Sequence, residues 1–421
     1  MSSPPDSQVV ITGIGVVAPN GTGASAYWQA CFAGQSGISR PPYLAEWAAE
    51  YGIKTSAVAE VPSFNATKYL SEVEQRRTPR MVHLALAASI EAMQAAGLDP
   101  AEESIDRQRD TGCALGTGGG GLAYVEAQYK MLHRGERPSL FSITAGTHGN
   151  LSSELSIALR LRGPSHVLST GCTSSTDAIA YAAMLIKSGR VKRMLAGGAD
   201  SPIAPGILSA FEKMRVVSTH PWHDPTHASR PFQPDRDGFV LGEGAWMFIL
   251  ERRGDAEARG ATPIAEIAGY GSTCDAFHRV QIRPDVIEPV RAIEQALNDA
   301  GETTDSIDYI NLHGTSTDLN DRLESAAIRA AFGQRASRIP TSSTKSMIGH
   351  PQGACGAAGI AATLLGMQAG AIHPTINQLA ADEACDLDYT PNAGRRIDLR
   401  TALCNCIAFG SKNSAIVLRK V

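Results

Sequence analysis

A short apolar strand followed by a helix of small residues is the unit this chain repeats, and past the middle of the sequence the series begins again. VVITGIGVVAP (9–19) reads as a strand running into a glycine turn, and RRTPRMVHLALAASIEAMQAAGLD (76–99) as an amphipathic helix closed by Gly97. DTGCALGTGGGG (110–121) is a strand entering a glycine-rich loop, and VKRMLAGGAD (191–200) a further short buried strand. Strands linked by helices predict an α/β fold with a mostly parallel sheet. The charged, weakly apolar stretch ERRGDAEARGATP (251–263) is the best boundary, dividing 1–255 from 256–421. Beyond it, IDYINLHGTST (307–317) has the shape of DTGCALGTGGG, and GHPQGACGAAGIAATLLGMQAG (349–370) that of GCTSSTDAIAYAAMLIKSG (171–189). Two half-molecules with equivalent loops follow. Packed face to face, they bring the loops bearing Cys172, His313 and His350 to one place.

The stretch VLSTGCTSSTDAIAYAAMLI (167–186) places Cys172 at a strand-to-helix junction. Val167 and Leu168 read as a buried strand end, while Ile179, Ala182, Ala183 and Ile186 recur at helical spacing. A helix start offers unsatisfied N–H groups and the positive end of the dipole, which shifts a thiol toward thiolate and can face an oxyanion. A small, inert, buried cysteine is the equal alternative from this stretch alone.

Composition narrows the classes. A chain of 421 residues with 43% hydrophobic content is long enough for two domains or one large α/β unit. A net charge of -4 without a basic tract points to neither nucleic acid nor a membrane surface. The 8 cysteines lack CxxC spacing, so a reducing compartment and no metal site are expected. MSSPPDSQVV has no signal-peptide pattern and no apolar run reaches the ~20 residues of a membrane span. The expectation is a soluble cytoplasmic protein.

Three motifs carry the chemistry: TGC with Cys172, HGTST with His313, and KSMIGH with Lys345 and His350. A thiol with two histidines, each read as following a strand and flanked by glycine, suits carbon–carbon bond formation through a thioester. The thiol accepts the acyl group, and the histidines donate hydrogen bonds to an enolate oxygen. Either histidine alone reads as an ordinary surface or core residue.

This set resembles that of the β-ketoacyl synthases, the condensing enzymes of the thiolase superfamily. The likeness covers nearly the whole chain, through VVITGIGVVAP, the helix end AAGLD, HASRPFQPDRDGFVLGEGAWMFILE (227–251) and AFGSKNSAIVLR (408–419). It implies the thiolase fold, two βαβαβ-type halves in a five-layer αβαβα arrangement, and a dimer. By the same resemblance Cys172 takes an acyl chain from an acyl carrier protein, and the backbone N–H groups of Cys172 and Phe409 form the oxyanion hole. His313 and His350, both neutral N–H donors, bind the thioester carbonyl of malonyl carrier protein. Lys345 orients the site, with Asp321 and Glu324, three apart on one helix face, as its acidic neighbours. Thr315 and Thr317 resemble the hydroxyls that hold the phosphopantetheine arm, and Phe409 the gating aromatic. No tightly bound cofactor is implied, since substrates arrive on the phosphopantetheine of the carrier protein.

Other features weigh against this reading or refine it. Gly116, Gly118 and Gly121 satisfy GxGxxG, but LAYVEAQYK after them supplies no dinucleotide-fold strand, so close backbone packing is the better reading. Arg76, Arg77 and Arg80, with Lys187, Arg190, Lys192 and Arg193, are basic clusters that suit an acidic carrier protein or, equally, a solvated helix end. Many fatty-acid-type synthases carry a glutamate where this chain has Gly359, and FGSKN departs from the usual FGGTN at Ser411 and Lys412. Both departures resemble polyketide synthases more than primary fatty acid synthases. GHPQGACG and Cys406 resemble thiolase features, but His313 stands where thiolases have asparagine. Chain-length factors lose the active cysteine, which this chain keeps. The sequence therefore predicts a catalytic ketosynthase of type II polyketide or fatty-acid-like assembly, as a homodimer or paired with a chain-length-factor-like subunit.

Overall fold

In the computed structural model, which describes residues 8–380, 382–410 and 412–421, the repeated series becomes two five-stranded sets with the same internal order. The first set comprises β1 (Val9–Ala18), β2 (Thr111–Gly116), β3 (Ser165–Leu168), β4 (Arg193–Asp200) and β5 (Gly244–Arg252), in spatial order β3-β2-β4-β5-β1. The second comprises β6 (Ala265–Cys274), β7 (Tyr309–Asn311), β8 (Thr341–Ser342), β9 (Thr401–Ala408) and β10 (Lys412–Lys420), in order β8-β7-β9-β10-β6. Every neighbouring pair in one set has a counterpart of the same direction in the other. The sets join where β1 meets β6, through Val10 opposite Glu266 and Ile11 opposite Ala265.

The sheet is mixed, which corrects the expectation of a mostly parallel one. Parallel pairing is confined to β3-β2-β4 and to β8-β7-β9. These are the strands joined by helical crossovers, through α2 (Asn150–Ala158) and α3 (Ser174–Lys187), and through α5 (Asp318–Phe332) and α6 (Cys355–Ala369). Two further helices, α1 (Arg80–Ala95) and α4 (Ile287–Ala300), cover β1 and β6 respectively. Layered together, α1 and α2 lie outside the first set, α3 and α6 between the sets, and α4 and α5 outside the second. This is the five-layer thiolase arrangement.

Side-chain alternation on β5 shows why a strand can be apolar throughout. Ala245, Met247 and Ile249 face the core under α1, while Trp246, Phe248 and Leu250 face the core built around α3 and α6. Gly13 and Gly15 lie inside β1 rather than in a turn after it. A Cβ at either would sit 2.1 Å and 1.8 Å from the carbonyl oxygens of Ala92 and Ala88, so α1 rests directly on the strand backbone. The same device recurs at Gly269 and Gly271, where a Cβ would meet Ala296 and Ala292 of α4 at 2.2 Å and 2.0 Å.

One helix boundary and one burial expectation shift. The helix read over 76–99 starts at Arg80, because Thr78 and Pro79 are extended, and Arg76 and Arg77 end a separate short helix, Glu72–Arg77. Its end at Gly97 holds, in the left-handed region at φ 69°. Val167 and Leu168 are half-buried rather than buried, because β3 is an edge strand. No helix among the described residues is long and apolar enough to cross a membrane.

Candidate active site

Cys172 sits where the sequence placed it, one turn beyond β3, in a 3-10 turn (Gly171–Thr173) leading into α3. Gly171 takes φ 78°, and the turn is pinned by the Ser174 hydroxyl, which donates to the Gly171 carbonyl at 2.5 Å and accepts from the Thr170 N–H at 2.9 Å. The thiol is buried, and its sulfur lies 3.2 Å from His350 Nε2. His313 follows β7 by two residues, and its ring stands nearly perpendicular to that of His350, with centroids 5.4 Å apart. His350, however, does not follow a strand. It follows one helical turn (Lys345–Ile348) and Gly349, and is held by its N–H donating to the Val240 carbonyl at 2.7 Å.

Burial governs the electrostatics here. It pushes the Cys172 thiol well above its ordinary range and outweighs the Lys345 charge and the Phe409 N–H, both of which favour thiolate. The resting residue is therefore a thiol, contrary to the shift expected from the helix start alone. Burial, assisted by the Lys345 charge, pushes His313 down to about 3, and burial likewise lowers His350. Both rings are neutral near pH 7, as donors to an enolate must be.

Lys345 lies buried beside His313, and its partners are not the expected ones. Its Nζ donates to the His313 carbonyl at 2.6 Å. Glu324 accepts from the N–H groups of His313 and Gly314, both at 2.7 Å, and from Asn405 Nδ2 at 2.6 Å. Asp321 accepts from the Thr315 N–H at 3.0 Å and the Phe232 N–H at 2.8 Å, and its ion partner is Arg236, at 3.6 Å. The two carboxylates do share the buried face of α5, but they shape the HGTST loop rather than neutralise the lysine. Asn405 escaped the sequence reading, because nothing in LCNC signals a side chain reaching Glu324.

A cavity of about 280 Å³ opens onto this group. Cys172, His313, His350, Thr315, Thr317 and Phe409 all line it, with Val280 and Arg215, which no motif marked, at its wall. The Thr315 and Thr317 hydroxyls are 2.8 Å apart. Phe409 is half-buried beside the cluster of Phe239 and Leu241. Cys406 is absent from the cavity wall; it lies behind His313, with its sulfur 3.6 Å from Nδ1. Ser411 falls outside the described residues, and Lys412 opens β10.

The departure at Gly359 has a local cause. A Cβ there would lie 2.1 Å from Asn311 Oδ1, and Asn311 is itself fixed by Tyr309, whose hydroxyl accepts from Nδ2 at 3.0 Å. Gly359→Ala should therefore destabilise by about 1–3 kcal/mol despite alanine's better helix propensity. The check is denaturant unfolding of the single variant beside Gly359→Ala/Asn311→Ala, which should recover part of the loss.

The GxGxxG segment is a packing device. Cβ atoms at Gly116, Gly118 and Gly121 would meet backbone of Ser175, Gly353 and Ala145 at 2.2, 2.9 and 2.1 Å. The loop N–H groups that a phosphate would need are taken by Asp200, which accepts from Gly118 and Gly119 at 2.7 and 2.9 Å and from the Thr117 hydroxyl at 2.7 Å. Burial nevertheless raises Asp200 to about 6. A carboxyl whose folded value lies above its unfolded one stabilises fully only below the unfolded value and loses that contribution as pH rises through the folded value. Between about pH 4 and pH 7 the wild type should thus lose about 3 kcal/mol relative to Asp200→Asn, read from paired urea midpoints. A difference that moves the other way would mean that the donors outweigh burial.

Of the basic clusters, Arg80 is committed internally to Glu243 at 2.7 Å, and Arg193 to Glu103 at 3.1 Å and Glu251 at 3.3 Å. Lys192 pairs with Asp110 at 2.9 Å, and Arg77 lies over the Phe141 ring.

Comparison with known proteins bears on the same residues. The family model described as beta-ketoacyl synthase, N-terminal domain, matches residues 6–256, and that for the C-terminal domain matches residues 264–379. The chain is 38% identical to the tetracenomycin polyketide synthase ketoacyl synthase alpha subunit of Streptomyces glaucescens, over 99% of this chain and 97% of that one. It is also 38% identical to the 3-oxoacyl-[acyl-carrier-protein] synthase 2 of a Synechocystis species, over 98% of each. Among solved structures, a type II polyketide synthase acyl-carrier protein in complex with its ketosynthase bound to the hexaketide superposes with a TM-score of 0.90. That match has 33% identity and covers 98% of this chain and 99% of that one.

Proposed function

The chain belongs to the β-ketoacyl synthase family, and from that premise we propose that it is the catalytic ketosynthase of a discrete, type II polyketide assembly. It is a condensing acyltransferase, and the observation that carries the mechanism is the meeting of Cys172, His313 and His350 at one cavity wall with Thr315 and Thr317.

In the first half-reaction the Cys172 sulfur attacks the acyl thioester, whose phosphopantetheine arm is held by the two threonine hydroxyls. The N–H groups of Cys172 and Phe409 receive the oxyanion. The thiol proton ends on the released phosphopantetheine sulfur, and His350 Nε2, 3.2 Å from Sγ, is the group placed to relay it. In the second half-reaction the bond from the malonyl carbon to its carboxylate breaks. Carbon dioxide leaves, and the enolate oxygen takes hydrogen bonds from His313 and His350. The enolate carbon then attacks the acyl-cysteine, the Cys172 sulfur leaves as a thiolate and takes a proton from solvent, and a 3-oxoacyl chain remains on the carrier. Lys345 acts on His313 through its carbonyl, and Glu324 and Asp321 hold the loop in register. The reaction itself calls on no bound cofactor.

Assignment to polyketide synthesis is supported by Gly359, by the FGSKN loop and by the Streptomyces relative; the Synechocystis relative supports fatty acid elongation instead. An acyl carrier protein is the substrate carrier, as supported by the solved complex. The name "alpha subunit" of the Streptomyces relative supports pairing with a second, different chain, and a homodimer is the alternative. Among the described residues β3 is an edge strand, and Ile157 of α2, the helix packed against it, is 74% exposed, which gives such a contact apolar surface. Eight free cysteines support a cytoplasmic location. The test is product analysis by mass spectrometry with malonyl carrier protein and matched saturated or 3-oxoacyl carriers. Polyketide synthesis predicts preference for the 3-oxoacyl chain. Repeated elongation of saturated chains just as fast would assign the enzyme to fatty acid synthesis.

A further inference from the structure

Two cysteines that the condensation does not use stand immediately behind the site. Cys355 begins α6 and Cys406 lies in β9; both are buried, and their sulfurs are 3.8 Å apart. Cys406 Sγ is also 3.6 Å from His313 Nδ1, and the three ligand atoms lie within 4.8 Å of one another. A tetrahedral zinc ion with Zn–S of about 2.3 Å and Zn–N of about 2.0–2.1 Å sets sulfurs about 3.8 Å apart and sulfur from nitrogen about 3.6 Å apart. The measured separations are those of two ligand edges already in place. The Cys172 carbonyl oxygen faces both sulfurs, at 3.3 Å from Cys355 and 3.2 Å from Cys406, and closes the remaining side.

We propose that Cys355, Cys406 and His313 Nδ1 form a binding site for a thiophilic divalent cation, Zn²⁺ by its ligand set. Both cysteines bind as thiolates and release their protons to solvent. The two negative charges neutralise the ion, so no net charge is added beside Lys345. The site lies on the far side of His313 from the cavity. An ion on Nδ1 leaves the ring proton on Nε2, the nitrogen available to an enolate oxygen, so the ion acts as a positioning group for His313. That consequence rests on the enolate-donor reading of His313; binding does not. No ligand spacing announces the site in the sequence, because its members come from α6, β9 and the loop after β7.

A second triad, Cys172 with His313 and His350, also brings its ligand atoms within 4.8 Å, and the experiment separates the two. The full-length protein, stripped of metal by a chelator, is titrated with Co²⁺ and followed by absorption, independently of any condensation assay. The expected result is one Co²⁺ per chain, with thiolate-to-cobalt charge transfer, displaced by one equivalent of Zn²⁺. Cys406→Ser and Cys355→Ala should each abolish the band and weaken binding at least 100-fold while their metal-free thermal unfolding stays close to wild type. Cys172→Ala should keep the band, and alkylation of Cys172 by iodoacetamide should stay within threefold in the zinc-loaded enzyme. Absence of saturable binding, persistence of the band in Cys406→Ser, or its loss in Cys172→Ala would each overturn the proposal.

Discussion

Replacing Cys172 with alanine should abolish acyl transfer and lower condensation by at least ~10⁴-fold, the scale seen when a covalent nucleophile is removed. The size of the effect follows from the geometry. Cys172 is the only cysteine on the cavity wall among the described residues, and Cys355 and Cys406 sit behind the backbone with their sulfurs turned to the Cys172 carbonyl. No neighbouring thiol can take its place. Intact-mass measurement after mixing with an acyl carrier protein thioester reads the result directly, since wild type gains the acyl mass and the variant does not. The substitution removes one sulfur from a small buried cluster of Cys172, Cys355, Cys406 and Ala408, so the fold is retained. An acylated Cys172→Ala protein would sink the mechanism, because the acyl acceptor would then be another group.

How far the sequence reveals the molecule depends on what holds each part. The duplication is legible because the strand-then-loop and turn-then-helix segments keep their shape in both halves. The paired glycines, Gly13 and Gly15 in β1 and Gly269 and Gly271 in β6, show their common role only once α1 and α4 are seen resting on the strands. Cys172 is legible because a strand-to-helix junction leaves a periodic pattern on both sides. The antiparallel centre of the sheet is not, because its direction depends on where the chain re-enters after the long segment 201–243, whose one α-helix, Pro205–Met214, leaves the rest of the path to irregular loops. The partners of Lys345 are hidden for a different reason. Its acceptor is a backbone carbonyl, and no spacing of side chains encodes one. Asp177 illustrates the same limit. It accepts from Thr170 at 2.5 Å in its own half, and from Tyr270 at 2.8 Å and Ser414 at 2.5 Å in the other, a network of polar residues far apart in the sequence.

The two histidines, alike in sequence as glycine-flanked loop residues, should separate in the laboratory. Among the described residues His350 Nδ1 has no hydrogen-bond partner, so nothing fixes its tautomer, and its Nε2 faces the sulfur. His313 turns Nδ1 toward Cys406 and has its main-chain N–H and carbonyl held by Glu324 and Lys345, so its ring is held in place against the cavity and away from the Cys172 sulfur. His313→Ala should therefore leave formation of the acyl-enzyme within about fivefold of wild type while lowering condensation by about 10²–10³-fold, the loss typical of one oxyanion donor. His350→Ala should lower condensation by a similar factor and also slow acylation at least tenfold, because it removes the proton relay as well as the donor. Single-turnover acylation by intact mass and release of carbon dioxide from malonyl carrier protein measure the two half-reactions separately. Equal acylation defects in the two variants would mean that the 3.2 Å contact of His350 with Cys172 has no part in proton movement. Normal decarboxylation in His313→Ala would mean that the enolate oxygen does not lie against that ring.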